Sequence, residues 1–224
     1  MAESHQRGVA RRLAQTVLAV FVCIQIAAAT GEEPKEKPRR IIIGQSEAKT
    51  TLFGLPGSGS KFLYVLDTSD SMTLPQGKPL ATAKQEIVDS IDKLDKLCEF
   101  YVIHYNNVPR LLDMTAGRNC FGTEDNKRAA KRMIAAIPTG QRTDHEPAII
   151  MALRMRPDVL YLMTDGDDPA LERRDLERIS RVNEGQAIIH AVQFGKGAPK
   201  RGADWLKQLA KENRGQYKFV DVSQ

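Results

Sequence analysis

Residues 61–71 read Lys-Phe-Leu-Tyr-Val-Leu-Asp-Thr-Ser-Asp-Ser, an apolar run that breaks abruptly into acids and hydroxyls. A run with no polar alternation suits a strand covered on both faces, the situation of parallel sheets in α/β proteins. A second such run spans 158–163 and ends Met163-Thr164-Asp165-Gly166. Between the two, Leu80, Lys84 (by its stem), Ile87, Ile91 and Leu94 recur at three- and four-residue steps and predict a helix over about 79–97, with Pro79 in its first turn. Strands are expected at 99–105 and 108–114 around an Asn106-Asn107 turn, then helices at 124–136 and 147–155. Beyond the second run come a helix to about 182 with Asp168 as N-cap and Pro169 as first residue, a strand at 186–194, a helix at 203–211 and a strand at 217–222. A strand at 48–53 precedes residue 61, joined to it by a turn-forming stretch, Gly54-Leu55-Pro56-Gly57-Ser58-Gly59. This alternation predicts an α/β fold: a doubly wound, mostly parallel central sheet, helices on both faces, and one antiparallel strand. Ligands of such sheets bind outside the carboxyl ends of the strands, where both apolar runs end in acids.

The chain has 224 residues, 42% hydrophobic and 27% charged, which fits a globular protein and excludes a wholly disordered one. Its net charge is +5, and the basic residues are interleaved with acids, so nucleic acid is not an expected partner. Arg7, Arg11 and Arg12 precede an apolar stretch at 13–30 that ends in Ala27-Ala28-Ala29. This has the form of a secretory signal cleaved before Thr30; the competing reading is an uncleaved membrane tether through residues 13–30. Lipid attachment at Cys23 is disfavoured by the bulky Phe21 and Val22 before it. Either reading exports the domain, to the periplasm, the cell surface or an inner-membrane anchor. The expected organisation is an export segment at 1–29, a charged, proline-punctuated linker at 30–46 and one domain at 47–224. Cys98 and Cys120 are a candidate disulfide in an oxidising compartment, or two buried thiols.

Three sequence elements meet the rule for ligand sites: Asp67-Thr68-Ser69-Asp70-Ser71, the loop Gly140-Gln141-Arg142-Thr143-Asp144, and Thr164-Asp165-Gly166. Together, Asp67-x-Ser69-x-Ser71, Thr143 and Asp165 resemble the metal-ion-dependent adhesion site of von Willebrand factor type A domains, in the family's order and over about residues 47–223. The segment from Leu52-Phe53-Gly54 to Met72 also looks like a set of small exported bacterial proteins built on this domain. The resemblance implies direct coordination by Ser69 and Ser71, by Thr143 in a ligand-competent state, and partly water-mediated roles for Asp67 and Asp165. Oxygen-only donors suit Mg²⁺, Mn²⁺ or Ca²⁺. Neutral hydroxyls leave the ion positive, so the implied ligand is a partner protein's Asp or Glu carboxylate. Gln141 and Arg142 stand where the family often has glycines before the threonine, which puts the shape of that loop in question.

Blander roles exist for each residue. Asp67 and Asp165 suit strand-end turns, and Ser69 and Ser71 suit caps of the following chain. Asp70, Asp144, Asp167 and Asp168 are expected as solvated or capping residues, His104 as a packed side chain, and His145 as a residue able to touch a partner. The stretch Gly54–Lys61 is no phosphate loop, because Phe62 stands where a hydroxyl is needed and a strand follows. A haloacid dehalogenase-like phosphatase is the alternative function, but it needs an acid two residues after its nucleophile, and position 69 is serine. A serine hydrolase lacks its Gly-x-Ser-x-Gly elbow. A structural module with a vestigial metal site is the third reading.

Overall fold

In the computed structural model, which describes residues 48–166, 169–199 and 202–223, the run at 61–67 lies near the middle of the sheet. The first half of the domain comprises β1 (Ala48–Leu52), β2 (Leu55–Gly59), β3 (Lys61–Asp67), a 3-10 turn (Asp70–Thr73), α1 (Lys78–Asp92), β4 (Glu99–Tyr105) and β5 (Pro109–Leu111). The second half comprises α2 (Glu124–Ala135), α3 (His145–Arg154), β6 (Val159–Thr164), α4 (Arg173–Asn183), β7 (Ile188–Gly195), α5 (Asp204–Glu212) and β8 (Tyr217–Asp221). Six strands form one sheet in the order β5-β4-β3-β6-β7-β8. Every neighbouring pair is parallel except β4 with β5. The expected doubly wound α/β architecture, with its antiparallel edge, is therefore present.

Burial explains the unbroken apolar runs. Residues 62–67 of β3 and all of β6 are buried, because α1, α2 and the β1–β2 hairpin cover one face and α3, α4 and α5 the other. On the hairpin side, Tyr64, Tyr161 and His190 stand in register on β3, β6 and β7, their rings stacked at 5.7 and 5.2 Å. α1 turns the predicted stripe inward: Leu80, Ile87, Ile91 and, just beyond its end, Leu94 are buried. Lys84 lays its stem along this face and donates from Nζ to the Ala135 and Ile137 carbonyls of the neighbouring segment.

The structure departs from the sequence reading in four places. The stretch 54–59 is a strand rather than a connecting loop, and β1 and β2 form a separate two-stranded antiparallel sheet turning at Phe53-Gly54. The strand expected at 108–114 shrinks to three residues, β5, of which Arg110 and Leu111 are exposed. The helix expected from Asp168 begins at Arg173, where Asp175 Oδ2 accepts the Glu172 N–H at 3.0 Å; Asp168 itself lies outside the described residues. The helix expected over 79–97 ends at Asp92.

Cys98 and Cys120 are both buried and not bridged to each other, and burial pushes the Cys120 thiol up to about 11. The expected export segment and linker lie outside the described residues. Among the described residues no helix is long and apolar enough to cross a membrane.

Candidate metal centre

The chain leaves β3 for α1 on one face of the sheet and β6 for α4 on the other, although the two strands are parallel neighbours. Their carboxyl ends therefore border the crevice where connections diverge, and Asp67 and Asp165 stand at those ends.

Asp67 is wholly buried. Its Oδ1 accepts the Ser69 N–H at 2.9 Å, a tight turn that swings the chain off the strand, and its Oδ2 accepts the Thr164 hydroxyl at 2.6 Å. The turn-forming role expected of such an acid is thus real here, and it orients the residues that follow. Met72, fully buried, anchors the 3-10 turn, while Ser71 beside it stays half-buried. Ser69 occupies the N-cap position of that turn, yet its side chain makes no capping bond. Instead Ser69 Oγ and Ser71 Oγ lie 3.0 Å apart.

The loop carrying Thr143 is placed by its flanks. Gly140 bridges to Ser69 in parallel fashion and donates its N–H to the Thr68 carbonyl at 3.0 Å. The Asp144 N–H reaches the Asn106 carbonyl at 2.8 Å. A Cβ at 140 would lie 2.0 Å from Asn106 Nδ2, so any larger residue there requires the Asn106 side chain to move. Arg142 adopts φ 68°, the left-handed region that glycine favours, so the residue that departs from the family pattern takes up a glycine-like backbone. Thr143 follows it, half-buried. The structure thus joins Asp67, Ser69 and Ser71 by direct hydrogen bonds and brings the Thr143 loop to the same edge by backbone contacts at Gly140.

Asp165 is buried, and its carbonyl accepts from Gln193 Nε2 at 3.3 Å. Thr164 was not recognised from sequence as part of the site. Its hydroxyl donates to Asp67 and accepts the Gly166 N–H at 3.0 Å, tying the two acid-bearing strand ends together. Its signal was present in the strand-end Thr-Asp-Gly, but its partner lies 97 residues away. His145, beside the threonine loop and on the sequence reading able to touch a partner, is completely buried. Its Nδ1 is 2.8 Å from the Tyr105 hydroxyl, and its ring packs 4.8 Å from that of Trp205. Burial, and then the charges of Asp67, Asp165 and Asp144, push the Tyr105 phenol well above its ordinary range, so it stays protonated among these carboxylates. His104 is buried, as expected of a packed side chain.

The residues present fit a hard divalent cation. Adjacent ligands of an octahedral Mg²⁺ at about 2.1 Å are about 3.0 Å apart. The two serine hydroxyls have that separation. Among the described residues no three His, Cys, Asp or Glu side chains gather as a ligand group, and the donors the site offers beside its two carboxylates are hydroxyl oxygens. Such donors suit Mg²⁺, Mn²⁺ or Ca²⁺ and not zinc.

No protein-family model matches the sequence, and no curated protein matches it. Solved structures do share the fold. A von Willebrand factor type A protein from Catenulispora acidiphila aligns with TM-score 0.64 at 20% identity, over 80% of this chain and 43% of its own. The conserved hypothetical protein BatB from Bacteroides thetaiotaomicron aligns with TM-score 0.56 at 19% identity, over 73% of this chain and 91% of its own. The manganese-loaded TRAP protein of Plasmodium vivax aligns with TM-score 0.54 at 17% identity, over 72% of this chain and 68% of its own. The chain thus spans less than half of the first of these proteins.

Proposed function

From a domain with the von Willebrand factor type A fold, we propose a divalent-metal-dependent protein-binding module rather than an enzyme. The observation that carries this reading is the pair of serine hydroxyls 3.0 Å apart at the switch-point edge, neither used as a helix cap. Ser69 and Ser71 coordinate the ion directly, Thr143 joins them when ligand is bound, and Asp67 and Asp165 act through water. The ion supplies an electrophilic position that a partner's Asp or Glu carboxylate closes. The chain's own residues prepare that position: Asp67 and Thr164 hold the loop, and Gly140 brings the threonine loop beside it. A structural neighbour loaded with manganese supports the choice of a hard cation. The module works outside the cytoplasm, exported by its amino-terminal segment.

The test is metal binding by isothermal titration with Mg²⁺ and by Mn²⁺ electron paramagnetic resonance. Ser69→Ala and Asp165→Ala each weaken binding at least tenfold while the far-ultraviolet circular dichroism stays unchanged. Undiminished affinity in both variants overturns the reading. A hydrolase would instead turn over p-nitrophenyl phosphate and lose that activity in Asp67→Ala; no turnover is expected, because Ser69 cannot protonate a leaving group.

A further inference from the structure

His104, near the end of β4, is only 7% exposed, yet its imidazole makes no hydrogen bond to any described residue. Its ring nitrogens are not sealed off from the surface, as His190 Nε2 is. On the sheet His104 stands directly opposite Arg110 of the antiparallel edge strand β5. Residues so opposed project to the same face with their Cβ atoms about 5 Å apart. Lys84 of α1 is the second charge that acts on the ring. Its Nζ is held by the Ala135 and Ile137 carbonyls, which take two of its three N–H groups. Among the described residues neither Arg110 nor Lys84 joins an ion pair, and no carboxylate is among the charges that act on His104.

Stability alone does not call for this arrangement. A buried polar ring without a partner costs free energy, and a cation directly across the ladder from it adds to that cost whenever the ring is charged. An acid at position 110 would serve the fold better than arginine. The cluster is instead matched to an anion. Arg110 offers a planar fork, and Lys84 has one N–H left. Burial and the two cations keep the imidazole neutral at pH 7, so it adds one ring N–H. Donors carried by β4, β5 and α1 outnumber the two coplanar oxygens of a carboxylate and suit the several oxygens of a tetrahedral anion. The slight exposure of His104 restricts the ring to a compact group.

We propose that Lys84, His104 and Arg110 form a binding site for a small tetrahedral oxyanion of the phosphate class at the β4–β5 edge of the sheet. The site uses no residue of the candidate metal centre and does not rest on the metal-dependent reading.

The test follows the histidine ring resonances of the full chain by nitrogen–proton correlation NMR, in EDTA and at constant ionic strength. Inorganic phosphate, glycerol 3-phosphate or acetate is added in turn. Phosphate is expected to shift the His104 ring saturably, with acetate binding at least tenfold more weakly. Arg110→Gln lowers phosphate affinity at least fivefold, and its exposed position spares the fold. Lys84→Met, which keeps the apolar stem, lowers it at least threefold. Arg181→Gln, exposed on α4 across the sheet, stays within twofold of wild type. Glycerol 3-phosphate binding as tightly as phosphate identifies a monoester as the occupant, and its exclusion identifies the free anion; both support the site. Three results overturn it: acetate binding as tightly as phosphate, a non-saturating shift that chloride reproduces, or undiminished phosphate affinity in Arg110→Gln. With EDTA present throughout, each of these leaves the metal centre to its own titration.

Discussion

At the scale of single residues, the carboxylate of Asp67 is engaged within the protein itself, one oxygen by a backbone N–H and the other by a threonine hydroxyl. Losing it therefore costs the fold and, on the proposed reading, the ion as well. Asp67→Ala is expected to lower unfolding free energy by about 1–3 kcal/mol, because a buried N–H and hydroxyl lose their acceptor, and to abolish metal-dependent stabilisation. Ser69→Ala should lose the metal effect while its metal-free urea midpoint stays near wild type, since its hydroxyl makes no cap and its bond is to the half-buried Ser71 hydroxyl, which water can reach. Comparing urea midpoints with and without Mg²⁺ separates the two variants. The residues of the motif itself were legible because Asp-x-Ser-x-Ser at a strand end is a local pattern. Thr164 and His145 were not, since what places them, Asp67 and Tyr105, lies 97 and 40 residues away and no short-range pattern reports it.

At the scale of elements, long apolar or periodic segments were readable and the glycine-rich one was not. Three glycines and a proline in 54–59 suggest turns, but the burial of Leu55, Gly57 and Gly59 alternates with exposed neighbours as in any half-covered strand. Glycine is there for close approach: a Cβ on Gly57 would lie 2.3 Å from the Tyr161 hydroxyl. Gly57→Ala should accordingly destabilise the domain by about 1–3 kcal/mol through overpacking, seen as a lower urea midpoint. The hairpin is also fastened by polar groups, since Ser90 of α1 meets both the Thr50 hydroxyl at 2.9 Å and the Tyr64 hydroxyl at 2.8 Å. Ser90→Ala removes the partner of the buried Tyr64 hydroxyl, while Thr50 keeps its bond to the Ser90 carbonyl, and is expected to cost about 1–3 kcal/mol by the same measurement.

At the scale of the whole molecule, acid and the proposed metal are expected to act on stability in opposite directions. His190 is pushed below the ordinary histidine pKa by burial, and His104 by burial and then by the charges of Arg110 and Lys84. The unfolded chain therefore takes up these protons first as pH falls. Their contribution is complete above about 6.5 and is lost as pH drops through the lower folded values. The urea midpoint should decline between pH 7.5 and 5, and less steeply in His190→Gln. On the proposed metal-binding reading, a saturating cation would work the other way, adding about 2.7 kcal/mol at one hundred times its dissociation constant. The strand order also shapes how the chain reaches this state. Phe62 pairs with Val159 and Leu66 with Met163, so one edge of β3 has no neighbour until β6 exists. A nascent chain emerging from its amino terminus must hold a sticky hexapeptide unpaired while nearly a hundred further residues are synthesised. Release truncated at residue 155 should accordingly yield aggregates and no partially folded intermediate, read by sedimentation of the released chain.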